Sequence, residues 1–113
     1  MRLRPYIPDT DFDHIRKWDT DERTHALWCA GRLPFPVTRE SMDALINDHA
    51  VKYGDTPFIA TEDGGRPVGF FCIATDVQTN TSMLRFVMVD SSLRGKGYGK
   101  EMLSLAVKYA FDI

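Results

Sequence analysis

Apolar residues recur at every third or fourth position in three stretches of the chain, which is the period of a helix with one buried face. The pattern predicts helices over residues 9–18, from Thr38 to a stop at Gly54, and from residue 97 onward. In the last stretch the polar residues form one narrow stripe, made of Glu101, Ser104, Lys108 and Asp112. We therefore expect this helix to be packed on most of its circumference.

Four shorter stretches predict strands, over residues 2–7, 57–62, 67–75 and 82–90. Pro5 cannot donate to a sheet ladder, which suits an edge or end position in the first strand. Asp63, Gly64 and Gly65 have the turn chemistry of a hairpin between the second and third strands. The run GFFCIA is apolar on both faces, so the third strand should be central. The predicted fold class is α+β with an antiparallel sheet.

Residues 19–37 show no sustained period and contain two prolines. The sequence predicts a loop there, with a helical turn from about Thr24 to Cys29. Trp28 in this loop suits either the core or the wall of a pocket. The three histidines are far apart in sequence, and we interpret them as surface or helix-face residues rather than metal ligands. Three acidic residues crowd the first helix start, where they suit its dipole better than a metal: Asp9, Asp11 and Asp13.

Composition limits the classes of function. The 113 residues, 43% of them hydrophobic, fit one domain over residues 1–113. The net charge is −2 and the basic residues are scattered, which argues against nucleic-acid binding. No apolar run follows Arg2 and Arg4, so we expect neither a signal peptide nor a membrane span, and a cytoplasmic location by default. Cys29 and Cys72 match no metal spacing and are predicted to be free, buried thiols.

Three glycines occupy alternate positions in RGKGYG, residues 94–99, directly after a predicted strand and at the start of a helix. A helix start has free N–H groups and a partial positive charge, and glycine lets the backbone approach a bound group closely. Together these features predict a cradle for an anion. A P-loop would need glycine at Arg94 and a hydroxyl at Glu101, and a dinucleotide loop would need glycine at Lys100 or Met102. The remaining alternative is a plain turn that aims a buried helix.

This loop resembles the acyl-CoA loop of the GCN5-related N-acetyltransferase (GNAT) family, whose signature is Arg or Gln, two residues, Gly, one residue, then Gly or Ala. Arg94, Gly97 and Gly99 occupy the signature positions. The wider stretch FVMVDSSLRGKGYGKEML is also similar to the family, with Ser91 where proline is more usual. The preceding order of one strand, two helices and three antiparallel strands matches the amino-terminal half of that fold.

The resemblance implies that the chain binds acetyl-CoA and uses no metal. The pyrophosphate would lie on main-chain N–H groups of residues 95–100, and the pantetheine would pair with the fourth strand as an added strand would. The implied cofactor-binding residues are Val87, Met88, Val89, Arg94, Gly95, Lys96, Gly97, Tyr98, Gly99 and Lys100. The basic side chains of this set are those of Arg94, Lys96 and Lys100. Each suits contact with a phosphate and exposure to water equally well.

The resemblance leaves the catalytic residues unassigned. In the family an amine attacks the acetyl thioester, a carboxylate or water chain takes the amine proton, and a tyrosine beyond the third helix often protonates the thiolate. The printed sequence stops at Ile113, so we expect it to lack the fifth strand and later elements that the family implies. Arg85 stands where some members carry a catalytic glutamate.

We therefore predict a GNAT fold, truncated after its third helix, that works as an acetyl-CoA-dependent N-acetyltransferase. The acceptor would be an amine of a small molecule, a peptide or a protein amino terminus. One alternative is a non-catalytic acetyl-CoA-binding or assembly module, and another is an anion-binding domain unrelated to CoA. Without a fifth strand, the far edge of the fourth would be unpaired, which predicts homodimers or aggregation through that edge.

Overall fold

A computed structural model of the chain describes residues 1–76, 78–79, 81–93 and 95–112, with 111 and 112 as main chain only. The strands are β1 (Arg2–Pro5), β2 (Thr56–Thr61), β3 (Pro67–Asp76) and β4 (Thr81–Val89). The helices are α1 (Pro8–Trp18), α2 (Glu22–Cys29), α3 (Arg39–Tyr53) and α4 (Tyr98–Asp112), and a short 3-10 turn covers Ser91–Leu93.

The four strands form an antiparallel sheet in the order β1-β2-β3-β4. β3 lies inside the sheet, and its neighbouring residues Phe70 and Phe71 are both fully buried although they point to opposite faces. β1 and β4 are the two edges of the described sheet, and β1 ends at Pro5 rather than at residue 7. The α+β class, the antiparallel order and the central third strand are confirmed.

Helices cover both faces of the sheet. Apolar residues of α1, α2 and α3, such as Ile15, Trp28 and Met42, pack on the face that carries Phe70. Residues of α4 pack on the opposite face with Phe71. Two separate hydrophobic clusters therefore hold the sheet, and β4 contributes to both.

The predicted loop over residues 19–37 contains a two-turn helix, α2, where the sequence indicated only one turn. The Asp21 side chain caps its start by accepting a hydrogen bond from Thr24 N–H at 2.7 Å. Ala30 ends the helix in the left-handed conformation. His25 and Trp28 are buried, so His25 is a helix residue that faces the core rather than the surface.

Local hydrogen bonds fix the starts of the helices that flank α2. Both oxygens of Asp11 accept from Arg4 at 2.7 Å, and one also accepts from Ile7 N–H at 2.7 Å. Thr38 and Ser41 form a reciprocal capping box at the start of α3. Asp11 therefore serves the helix start, as expected.

α4 lies close to the sheet because β3 has a glycine beneath it. A Cβ at Gly69 would lie 2.5 Å from Met102 Sδ, so a larger residue there would force the Met102 side chain to move. The expectation of burial around most of α4 is wrong, however. Leu103 and Val107 are 38% and 49% exposed, so the solvent-facing surface of α4 includes apolar as well as polar residues.

Candidate functional site

The outer edge of β4 is shaped by a β-bulge. Two residues of β4, Phe86 and Val87, stand opposite the single β3 residue Phe71. Phe86 has a φ of 56°, in the left-handed region that a bulky residue rarely adopts. Bulges of this kind bend an edge strand and are frequent next to active sites. The bulge therefore marks this edge as a candidate binding surface.

The direction of the β4 main chain follows from one hydrogen bond at its end. Asp90 N–H donates to the Val68 carbonyl at 2.8 Å. Because residues two apart in an antiparallel strand face the same way, Met88 also turns its main chain toward β3. Val87 and Val89 present main-chain groups to the open edge instead. The structure thus brings two of the three predicted pantetheine-pairing residues to that edge, while Met88 faces β3 and its side chain is buried.

The chain leaves β4 through the 3-10 turn. One oxygen of Asp90 accepts from Ser92 N–H at 2.9 Å and from the Ser92 hydroxyl at 2.8 Å. Leu93 is buried and anchors the turn in the α4 cluster. These contacts hold the approach to the glycine loop in one conformation. Arg94, predicted to bind the cofactor, lies outside the described residues.

The glycines of the loop serve the backbone conformation. Gly95 and Gly97 each have a φ of 82°, which residues with a side chain rarely adopt. The space that a Cβ would occupy at either position has no atom within 4 Å. At Gly99 a Cβ would make only ordinary contact, 3.5 Å from Val89 Cγ2. Two of the three glycines are therefore required, and open space above them is available to a ligand.

The start of α4 completes the loop. The Gly97 carbonyl accepts the first helical hydrogen bond, from Glu101 N–H at 3.1 Å. The N–H groups of Tyr98, Gly99 and Lys100 precede the first helical donor, Glu101 N–H, so they have no partner within the helix and can bind an anion. Lys96 and Lys100 are exposed, and neither forms an ion pair with a described residue. These groups fit a pyrophosphate better than a neutral ligand.

A cavity of about 360 Å³ lies beside the bulge, and Phe86 belongs to both. Its described lining residues are Trp28, Cys29, Ala30, Arg32, His49, Tyr53, Arg85 and Phe86. This volume suits a small molecule or the end of a peptide. Trp28 is 6% exposed and belongs to both the core and the cavity wall, the two positions that the sequence predicted as alternatives.

A network of charged and polar side chains, two of them buried, lies along the cavity. Arg32 Nη2 lies 3.0 Å from His49 Nε2, and His49 Nδ1 lies 3.3 Å from Asp55 Oδ2. A guanidinium can only donate, so His49 Nε2 accepts and the ring proton sits on Nδ1, where it is donated to Asp55. Arg85 binds the other oxygen of Asp55 and lies 4.5 Å from the centre of the Tyr53 ring. His49 lies on α3 as expected, and at 2% exposed it faces the interior rather than the surface.

A second network supports the cavity wall from behind. His25 Nδ1 lies 2.6 Å from Asp19 Oδ2, and His25 Nε2 lies 2.8 Å from the Leu33 carbonyl. The other Asp19 oxygen accepts from Trp28 Nε1 at 3.0 Å. Burial lowers the pKa of His25, but the Leu33 carbonyl and the Asp19 carboxylate outweigh it, so the net shift of the pKa is upward. Both ring nitrogens face acceptors, which favours the protonated ring.

Most of the cavity could not be found from the sequence. Arg32, His49, Asp55 and Arg85 come from the loop after α2, α3, the turn before β2, and β4. Separations of 17 and 30 residues between partners carry no local pattern. Only the glycine loop, which is continuous in sequence, had a readable signal.

Comparison with known proteins agrees with this geometry. The sequence model of the Acetyltransferase (GNAT) family matches residues 10–113. The chain therefore belongs to the GNAT acetyltransferase family, as its glycine loop indicated. A search of curated proteins returned no significant match.

Several solved structures share the fold at low sequence identity. A spermidine N-acetyltransferase from Vibrio cholerae, in complex with CoA and spermine, matches with a TM-score of 0.73 and 15% identity, over 99% of this chain and 64% of that one. An aminoglycoside 6'-N-acetyltransferase complexed with coenzyme A matches at 0.59 and 14%, over 99% and 56%. The AtaT-AtaR complex bound to DNA matches at 0.58 and 18%, over 99% and 66%. The chain thus spans less than two thirds of the first two proteins.

Among the described residues, no group of three or more His, Cys, Asp or Glu side chains could hold a metal ion. In the same part of the chain, no helix has the length and apolar character needed to cross a membrane. Cys29 and Cys72 are both free and buried, which confirms that prediction.

Proposed function

We propose that this chain binds acetyl-CoA and transfers the acetyl group to an amine of a small molecule, a peptide or a protein amino terminus. The observation that carries the proposal is the continuous surface formed by the bulged edge of β4, the open glycine loop and the start of α4. Main-chain groups that can pair with amides therefore lead directly to N–H groups that can bind phosphate.

The chain's own residues would hold the two ends of the cofactor in different places. The N–H groups of residues 95–100, with Lys96 and Lys100, would bind the pyrophosphate, and Val87 and Val89 would pair with the pantetheine amides. Val89 lies three residue steps along the strand from Phe86, a distance of about 10 Å. A cofactor that followed this edge would bring its thioester end toward Phe86, and thus toward the cavity.

Bound acetyl-CoA would supply an activated acetyl group, whose carbonyl carbon an amine nitrogen can attack to form an amide and release the CoA thiol. The cavity beside Phe86 would hold the amine next to the acetyl end of the cofactor, in position for attack. His49 Nε2 is the proposed acceptor of the amine proton, directly or through a water molecule. It carries a lone pair, and the bond from Nδ1–H to Asp55 orients the ring. Arg32, which occupies Nε2 in the free protein, would have to turn aside first.

The proposal is tested by mixing the purified protein with acetyl-CoA and a panel of amines, and measuring both the release of CoA thiol and the acetylated product by mass spectrometry. Turnover of at least one amine supports the proposal. Tight binding of acetyl-CoA with no product would favour a non-catalytic cofactor-binding module. Equal binding of nucleotides in general would favour an anion-binding domain unrelated to CoA.

The site assignment has its own test, Gly97→Trp, with Gly65→Trp as a matched control. Both glycines have positive φ, 82° and 95°, and open space above them, but Gly65 lies in the β2–β3 hairpin. Both variants should therefore suffer similar backbone strain, and only Gly97→Trp should lose acetyl-CoA affinity, by about tenfold or more. Full affinity in Gly97→Trp would refute the assignment of the loop.

The role of His49 is tested separately with His49→Gln. Loss of a general base typically lowers kcat by about 10² to 10⁴. The affinity for acetyl-CoA, measured by titration, should stay unchanged because His49 lies in the cavity rather than on the cofactor edge. An unchanged kcat would remove His49 from the mechanism without affecting the rest of the proposal.

A further inference from the structure

The charge of the cavity is unusual for a site that would accept an amine. Of its described lining residues, only Arg32 and Arg85 carry a permanent charge, and both charges are positive. No described lining residue is a carboxylate. The nearest acid, Asp55, lies behind Arg85 and His49, with its side chain 2% exposed. Two guanidinium groups and one carboxylate leave this network with one net positive charge.

Asp55 cannot recognise a cationic acceptor. One of its oxygens accepts from Arg85 and the other from His49, and the residue is 4% exposed. The other buried acid near the cavity wall, Asp19, is likewise engaged by His25 and Trp28. An ammonium group entering the cavity would therefore meet guanidinium groups and no carboxylate among the described lining residues. Like charges brought together at a desolvated site are strongly unfavourable.

The two arginines differ in how they are held. Arg85 is fixed by the Asp55 carboxylate and by the Tyr53 ring. Arg32 is exposed and makes one hydrogen bond, to the uncharged ring of His49, and it forms no ion pair with a described residue. A guanidinium has five N–H donors, so most of those on Arg32 remain available. Arg32 is therefore a cation with no paired anion in the described part of the chain, and it lines a cavity of about 360 Å³.

From this geometry we infer that the acceptor is a small amine that also carries a carboxylate, which Arg32 binds. The inference rests on the proposed function, and it specifies the acceptor. The guanidinium fork matches a carboxylate in two parallel hydrogen bonds, and the single net positive charge of the network matches a single carboxylate. Binding of the carboxylate would draw Arg32 away from His49 Nε2 and free that nitrogen for the amine proton. Polyamines, including spermidine, should be poor acceptors.

A matched series of amines tests the inference. 5-Aminopentanoate, pentylamine and 1,5-diaminopentane share a five-carbon primary amine and end in a carboxylate, a methyl and an ammonium group. Alanine and alaninamide form the corresponding pair for an α-amine. We expect kcat/KM to be about tenfold or more higher for each carboxylate than for its neutral partner, and lowest for the diamine.

Arg32→Gln tests the residue. Glutamine can still donate to His49, but it has no charge, so the preference for 5-aminopentanoate over pentylamine should fall to about threefold or less. Arg39→Gln is the matched control, since Arg39 lies at the start of α3 and pairs with Asp9 and Asp43. It should leave the preference unchanged. Equal use of all three amines by the unmodified protein, or an unchanged preference in Arg32→Gln, would overturn the inference.

Binding measurements separate this inference from the proposed function. Each amine is titrated into the protein saturated with CoA, which needs no turnover. Preferential binding of 5-aminopentanoate, lost in Arg32→Gln, supports the inference even if no amine is acetylated. Equal or undetectable binding of all three amines contradicts the inference, even if some other amine is acetylated.

Discussion

Removal of the Asp19 charge should strongly destabilise the protein, and more at low pH than at high pH. Asp19 is almost fully buried and binds both His25 and Trp28. In Asp19→Asn the protonated ring of His25 would be buried without its counter-ion, so the ring must lose a proton and one hydrogen bond. Breaking a buried ion pair typically costs about 3 to 5 kcal/mol. We expect about 3 kcal/mol, because asparagine keeps one acceptor oxygen.

The expected shift in Tm follows from the length of the chain. An unfolding entropy of about 2.1 cal/mol/K per residue gives about 0.24 kcal/mol/K for this chain, so a loss of about 3 kcal/mol lowers Tm by about 12 °C. Asp13→Asn is the control, because Asp13 is exposed on α1, the helix that ends directly before Asp19. It should change stability by about 0.5 kcal/mol or less.

The pH dependence gives the sign of the effect. The folded-state pKa of His25 is raised above its ordinary value. The contribution of the protonated ring to stability is therefore complete below the unfolded-state pKa, about 6.5, and is lost as the pH rises through the folded-state pKa. Denaturant unfolding of both proteins from about pH 5 to about pH 9 should show a difference that shrinks with pH. A loss below about 1 kcal/mol at low pH, or a difference that grows with pH, would refute this account.

Three further predictions concern other parts of the molecule. The Tyr6 hydroxyl is buried and has no hydrogen-bond partner among the described atoms, so Tyr6→Phe should leave stability unchanged or raise it by about 1 kcal/mol in denaturant unfolding; a clear loss would indicate a missing partner. Burial raises the pKa of the Cys72 thiol to about 12, so this cysteine should react with a chromogenic disulfide reagent only in denaturant, and rapid reaction of the native protein at Cys72 would contradict its burial. The open edge of β4 predicts concentration-dependent dimers in size-exclusion chromatography with light scattering, and saturating acetyl-CoA should reduce them because both would use the same edge; a clean monomer at high concentration would count against edge pairing.

The sequence was sufficient where structure depends on local chemistry. The start of α3 was predicted from Thr38 and its end from Gly54. The glycine loop was predicted from alternating glycines, which are needed where the backbone adopts positive φ or lies close to a bound group. The hairpin at residues 63–65 was predicted for the same reason. These features are encoded within a few neighbouring residues, so one sequence is enough to find them.

The sequence failed where the determining contacts are tertiary. α2 has weak helical periodicity, and its stability depends on the Asp21 cap and on burying His25 and Trp28 against residues elsewhere in the fold. The bulge at Phe86 depends on pairing with β3, and nothing in FVMV indicates it. The cavity network joins residues up to 30 positions apart. Exposure of Leu103 and Val107 was also missed, because periodicity shows which helix positions are apolar but not which of them are covered.

The most direct test of the account is a calorimetric titration of the protein with acetyl-CoA, with ATP as the control ligand. We expect micromolar binding of acetyl-CoA, worth about 8 kcal/mol, and much weaker binding of ATP. The pantetheine of acetyl-CoA would pair with the edge of β4, and ATP contains no group that could do so. Absence of acetyl-CoA binding, or equal affinity for the two ligands, would contradict the claim that this edge and the glycine loop together form the cofactor site.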